Sequence, residues 1–186
     1  MGKMITRIRK LLEHKSNWDI ELEYLISHGM HLGKNSTINA GCTIDSGWPW
    51  LISIGDNVTI SSNVTILAHD ASTNIVGRGT KLGKVTIGNN VFIGTNAVVL
   101  CNTHIGDNVV IGAGSIVTHD LPSNGVYAGA PAVKISTIEE YQRKITLLKE
   151  SRPSFDHIRK WDQWREAPWE EKEIMINGLE DGVGFI

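Results

Sequence analysis

The stretch that decides the fold runs Ile87-Gly-Asn-Asn-Val-Phe-Ile93-Gly-Thr-Asn-Ala-Val-Val99-Leu-Cys-Asn-Thr-His-Ile105-Gly-Asp-Asn-Val-Val-Ile111-Gly-Ala-Gly-Ser-Ile-Val117. An aliphatic residue returns every six positions, and the same beat extends back through Leu32, Ile38, Ile44 and then Ile54, Ile60, Ile66. Glycine follows six of these twelve residues (Gly33, Gly55, Gly88, Gly94, Gly106, Gly112). Four residues after the aliphatic one sits a second, mostly small or β-branched residue, such as Cys42, Val58, Val64, Val91, Ala97, Thr103, Val109 and Ser115. A period of six fits neither the 3.6 of a helix nor a simple hairpin. It fits short strands joined by sharp corners, where Gly and Asn accept positive φ. A unit this small cannot bury its own apolar face, so stacked units must bury a shared column.

Charge divides the chain around this repeat. Residues 1–31 carry 9 charged side chains, residues 32–136 only 10 with 14 of the 19 glycines, and residues 137–186 carry 19. The expected organisation is therefore an N-terminal helical cap over 1–31, a repeat domain over 32–136 and a C-terminal helix with a Trp-rich extension over 137–186. Apolar spacing predicts helices over 3–15, 18–28 and from Thr137 to about Glu150. Trp161, Trp164 and Trp169 follow among alternating charges, as an interaction surface or a packed extension.

The net charge of −2 gives no reason to expect nucleic acid as a partner. No apolar run approaches the ~18 residues of a membrane span, and the basic N-terminus lacks the apolar core of a signal peptide. Two cysteines make no disulfide framework, which points to a reducing cytoplasm. The glycosylation-like Asn35-Ser-Thr, Asn57-Val-Thr and Asn63-Val-Thr are by-products of the repeat.

Two interruptions break the count. Between Ile44 and Ile54 four extra residues bulge near Gly47-Trp48-Pro49-Trp50, and between Ile66 and Ile87 fifteen extra residues loop out. Insertions in a solenoid land on its outside and often line its working face. The larger one opens Leu67-Ala68-His69-Asp70 and contains Gly77, Gly79 and Gly83, so it reads as a mobile flap. Thr95 and Ala113 lie 18 residues apart, one full coil, and should stack on one face. Asp45, one residue beyond Ile44, should sit one coil below the base of the His69 loop. Cys42 reads as core. Cys101 falls at a corner with no adjacent base.

The repeat resembles that of the hexapeptide transferases, and the resemblance implies a mainly β fold: a left-handed parallel β-helix of about four coils, with N-terminal helices and a C-terminal helical extension. The string Asn63-Val-Thr-Ile-Leu-Ala-His69-Asp, followed by Lys84-Val-Thr-Ile-Gly-Asn-Asn-Val-Phe-Ile-Gly-Thr95, resembles the maltose, galactoside and capsular-polysaccharide O-acetyltransferases. So does Ile111-Gly-Ala-Gly-Ser-Ile-Val-Thr118-His119, with Gly129-Ala-Pro131-Ala beyond it. The resemblance implies an acetyl-CoA-dependent O-acetyltransferase acting on a sugar hydroxyl by direct transfer, with His69 as general base and no metal. It implies CoA contacts at Thr95, Ala113, Thr118, His119 and Lys134, and an acceptor near Asn39 and Asp45. Trp48 and Trp50 read either as rings that stack on a sugar or as an aromatic bulge buried in a subunit interface. The resemblance further implies a homotrimer with active sites between subunits. This chain departs from the pattern at His119, where Lys is frequent, and at Val133, which precedes Lys134. Amino-sugar N-acetylation is the nearest variant. A metal lyase like the γ-type carbonic anhydrases, suggested by His69 and His104, and a non-enzymatic scaffold are the alternatives from other classes.

Overall fold

A computed structural model of the chain describes residues 16–77, 79–158, 160–180 and 182–186, so the helix expected over 3–15 lies outside the described residues. Two compact units are present, Met1–Ile138 and Glu139–Ile186.

The first unit is a parallel β-helix. Strands β1 (His31–Leu32), β2 (Thr37–Ile38) and β3 (Thr43–Ile44) are followed one level on by β4 (Ile52–Ile54), β5 (Thr59–Ile60) and β6 (Thr65–Ile66). A hairpin, β7 (His69–Asp70) and β8 (Lys81–Leu82), then projects before the winding resumes. It continues with β9 (Val85–Ile87), β10 (Val91–Ile93) and β11 (Val98–Val99), then β12 (Thr103–Ile105), β13 (Val109–Ile111) and β14 (Ile116–Val117). Strands β15 (Gly125–Ala128) and β16 (Val133–Thr137) finish the unit as an antiparallel pair. Three rows of strands result: β1-β4-β9-β12, then β2-β5-β10-β13-β15-β16, then β3-β6-β11-β14.

The six-residue beat is the core. Ile54, Ile60, Ile66, Ile93, Val99, Ile105, Ile111 and Val117 are fully buried, and only Leu32 among the twelve is half-buried. The second inward position is filled as the spacing predicts, by Val58, Val64, Val91, Ala97, Val109 and Ser115. Burying a side chain such as Ile contributes about 1.5–3 kcal/mol, and stacking delivers it once per hexapeptide.

Asparagine turns the corners. Eight asparagines have φ between 55° and 61°, from Asn35 to Asn124, a conformation Asn tolerates better than other side-chain-bearing residues. At one corner they stack as a ladder. Each Nδ2 donates to the next Oδ1, from Asn35 to Asn57 (3.3 Å), Asn90 (3.2 Å), Asn108 (3.1 Å) and Asn124 (2.9 Å).

Helix α1 (Asn17–Ser27) begins with a capping box in which Ser16 and Asp19 each bond the other's backbone N–H. Leu25 is fully buried, and Trp18 Nε1 donates to the Ile38 carbonyl at 2.9 Å. These contacts fix the helix against the first strands.

The second unit contains α2 (Ile138–Ser151), a short 3₁₀ turn (Trp161–Glu166) and α3 (Trp169–Gly178). Phe155 is buried there, with the Trp164 ring edge-on at 6.4 Å. Trp169 is 63% exposed. No helix among the described residues is long and apolar enough to cross a membrane.

Candidate active site

The site grows from one column of the β-helix. Strands β3, β6, β11 and β14 end at Ile44, Ile66, Val99 and Val117, so the residues that follow them stack: Asp45, Leu67, Leu100 and Thr118. The backbone N–H groups of Asp45, Leu67 and Leu100 donate to the Ile66, Val99 and Val117 carbonyls at 2.9–3.0 Å. Just after Leu67 the chain leaves the winding into the β7–β8 hairpin, which carries His69.

Asp45, expected on the acceptor side, lies one level below the base of the His69 loop as its spacing predicts. Its side chain is 2% exposed, and its Oδ2 accepts from the Ala68 N–H at 2.9 Å and from His69 Nδ1 at 2.5 Å. Its Oδ1 accepts from the Gly47 N–H at 3.1 Å. Each oxygen accepts at least one bond inside the protein, and the bond to Nδ1 orients the His69 ring. Burial alone would raise its pKa. The His69 bond, then the Ala68 and Gly47 N–H groups, outweigh that and hold the carboxyl below its ordinary value. An ionised Asp45 can only accept, so Nδ1 carries the proton and Nε2 is the basic nitrogen.

The larger insertion is closed at its base by a short antiparallel hairpin and carries a 3₁₀ turn over Ala71–Ile75. His69 pairs with Leu82 and Asp70 with Lys81. Lys81 Nζ lies 2.9 Å from Asp70 Oδ2 across the strands. The Ser72 hydroxyl first, and Lys81 next, hold the Asp70 carboxyl well below the usual range. Asp70, in return, raises the Lys81 ammonium. From the smaller insertion, the Trp48 ring packs against the His69 ring, centroids 4.6 Å apart.

A pocket of about 300 Å³ opens here, lined by Leu67, His69, Asp70, Lys81, Leu100, Cys101 and Thr118. Cys101, expected at a corner with no adjacent base, is a lining residue of this pocket. Sequence reasoning missed Lys81, because an antiparallel hairpin register cannot be counted from a parallel repeat. Cys42 is core as expected, its Sγ donating to the Ser61 carbonyl at 3.1 Å.

The remaining expected residues divide into groups. Thr118 lies in the pocket, and its Oγ1 is 3.1 Å from Nδ1 of the exposed His119. Thr95 and Ala113 stack as their spacing predicts: β10 and β13 pair in register, and the Gly114 N–H donates to the Thr95 carbonyl at 2.8 Å. Their column precedes the third row of strands, whereas the Leu100–Thr118 column follows it. The strands of that row separate the two edges. Asn39, expected beside the acceptor, follows Ile38 at the same far edge, its N–H bonded to the Ile60 carbonyl. Within one chain, then, Asn39, Thr95 and Ala113 are not brought to His69. Lys134 lies on β16, opposite Tyr127 of β15. No grouping of three or more His, Cys, Asp or Glu that could hold a metal ion exists among the described residues.

A parallel β-helix built on six-residue units, with a histidine hairpin thrown out of one corner, defines a class, and comparison places the chain in it. The description "Bacterial transferase hexapeptide (six repeats)" matches residues 84–119, and "Hexapeptide repeat of succinyl-transferase" matches residues 52–68. A Saccharomyces cerevisiae protein provisionally named acetyltransferase YJL218W is 37% identical, over 72% of this chain and 70% of its own length. The chain therefore belongs to the hexapeptide-repeat acetyltransferases. The galactoside O-acetyltransferase of Escherichia coli is 40% identical over 65% of this chain. That match spans about three fifths of the relative's length, 61%. Among solved structures, a maltose O-acetyltransferase from Clostridium difficile superposes with a TM-score of 0.51 at 27% identity, covering 73% of this chain and 84% of that one.

Proposed function

We propose that the protein transfers an acetyl group from acetyl-CoA to a sugar hydroxyl, as an O-acetyltransferase of glycans or their precursors. The observation that carries this is the Asp45–His69 pair at the wall of the pocket. Asp45 fixes the tautomer, and Nε2 takes the acceptor's hydroxyl proton. The acceptor oxygen bonds to the thioester carbon, the carbon–sulfur bond breaks, and the proton passes from His69 to the departing sulfur. Asp45 also stabilises the imidazolium while it lasts. Lining by Leu67 and Leu100 keeps the local dielectric low, which strengthens that interaction.

The Thr95–Ala113 column offers CoA a strip of backbone N–H and C=O groups along the winding axis, with Thr118 along its pantetheine and His119 and Lys134 toward its phosphates. Because that strip and the His69 pocket lie on opposite edges of one row, a homotrimer would bring the strip of one chain to the pocket of the next. We take the winding as left-handed with about four coils, as the resemblance implies. We take the compartment as cytoplasmic, in keeping with two free cysteines.

The test is release of CoA thiol from acetyl-CoA with a panel of neutral and amino sugars. His69→Ala should lose at least ~100-fold in rate. Unchanged turnover in that variant overturns the mechanism, and thiol release with amino sugars alone would make the reaction N-acetylation.

A further inference from the structure

The smaller insertion gives its two tryptophans opposite surroundings. A 3₁₀ turn, Pro49–Leu51, seats Pro49 in the interior. Trp48 is thereby turned half-buried onto His69, while Trp50 stands 60% exposed. Trp50 faces a second cavity of about 450 Å³, separate from the one that holds His69, with Trp48, Leu51, Leu82, Lys84 and Asn102 as its other side-chain walls. Gly83 completes it with bare backbone. A Cβ there would stand 2.5 Å from both the N and the Cβ of Asn102, so only glycine lets the hairpin's return strand lie this close to the corner.

This cavity borders the candidate active site through two residues. Trp48 lines it and packs on the His69 ring. Leu82 lines it and is the cross-strand partner of His69. Its chemistry is that of a sugar site. Indole faces accept the apolar C–H face of a pyranose ring, while Lys84 and Asn102 supply donors and an acceptor for ring hydroxyls.

We propose that this cavity is a second sugar subsite, so the acceptor is a glycan chain of at least two residues, one at His69 and its neighbour on Trp50. The proposal rests on the sugar O-acetyltransferase reading above. Its discriminating consequence is a dependence on acceptor length that a single-sugar site lacks.

The experiment measures thiol release from acetyl-CoA with the methyl glycosides of galactose, glucose and N-acetylglucosamine, and with the corresponding homo-trisaccharides. The intact protein should show a higher kcat/KM for a trisaccharide than for its methyl glycoside. Trp50→Ala should reduce that ratio roughly 3- to 10-fold, the loss of one stacked ring. Trp50 is exposed, so the variant folds, and sedimentation velocity of both proteins checks its assembly. Equal kcat/KM for short and long acceptors overturns the subsite and leaves the sugar reading standing. A ratio unaltered by Trp50→Ala overturns it as well. A shift of Trp50→Ala to a smaller assembly assigns the patch to a second copy and overturns it too. Thiol release with no sugar of any length overturns the sugar reading, and this subsite with it.

Discussion

Two columns of the same β-helix, one corner apart, put the repeat to opposite uses. At the first, the residue does not change from level to level: Asn35, Asn57, Asn90, Asn108 and Asn124 bond head to tail. At the second it varies, Asp45, Leu67, Leu100, Thr118, and three of these line the pocket while Asp45 holds its histidine. The backbone at both corners meets the same hydrogen-bonding demands. Uniform side chains satisfy each other and leave nothing for a ligand. Varied ones leave groups over, and the second column is also where the larger insertion departs. A solenoid thus separates stability from chemistry by column rather than by domain.

If that separation holds, a neutral replacement in the second column should strike activity hardest. Asp45→Asn keeps shape and an acceptor oxygen but removes the charge facing Nδ1. On the order of a 10- to 100-fold fall in kcat is expected, a part of the whole general-base contribution. KM for acetyl-CoA should stay unchanged, since Asp45 lies at the far end of the column from Thr118. A matching rise in KM would assign Asp45 to substrate binding and erase the contrast. The same variant has a pH signature. Because the folded carboxyl is held below its ordinary value of about 3.9, its contribution to stability is fully present above that value. The contribution fades as pH falls through the lower, folded value. Denaturant unfolding should therefore separate wild type from Asp45→Asn at neutral pH, with the gap closing in acid.

The insertion itself supplies the next contrast. Gly83→Ala drives a methyl into the Asn102 backbone and must displace β8, at about 1–3 kcal/mol of stability. It should also lower kcat, since Leu82 pairs with His69. Gly77→Ala, in the same insertion, meets only the Thr73 carbonyl at 3.6 Å and should stay within about 0.5 kcal/mol. Thermal unfolding and thiol release on both variants decide it. Equal effects would mean that the hairpin is not seated where these contacts place it.

Much of this was legible before any coordinates. The spacing from Leu32 to Val117 carries the strands, the core and the corners, because one physical requirement recurs twelve times and noise averages out. The stacking of Thr95 on Ala113, and the place of Asp45 beneath the His69 loop, follow from counting alone. What counting could not give was the purpose of Asp45. Its partner stands beyond the regular repeat, in a hairpin whose register depends on packing between side chains remote in sequence. Lys81 stayed hidden for the same reason. The ends β15–β16 were also outside its reach, since an antiparallel return obeys turn chemistry and not the six-residue beat.

The smallest expected effect falls on the uniform column. Asn90 has φ of 55°, receives a bond from Asn57 and gives one to Asn108. Asn90→Ala removes both bonds and forces alanine into the left-handed region, together about 1–2 kcal/mol, because exposed side-chain bonds contribute little each. Asn90→Gly removes the same bonds but keeps the backbone at ease, so it should lose less than Asn90→Ala. The difference between the two variants then measures the corner conformation, and the remainder measures the ladder. In a chain of this size that amounts to roughly 2–8 °C in Tm. Neither variant touches the His69 pocket, so kcat per folded molecule should match wild type. A fall in kcat without a fall in Tm would show that the ladder corner communicates with the pocket corner, and the division of labour between columns would have to be abandoned.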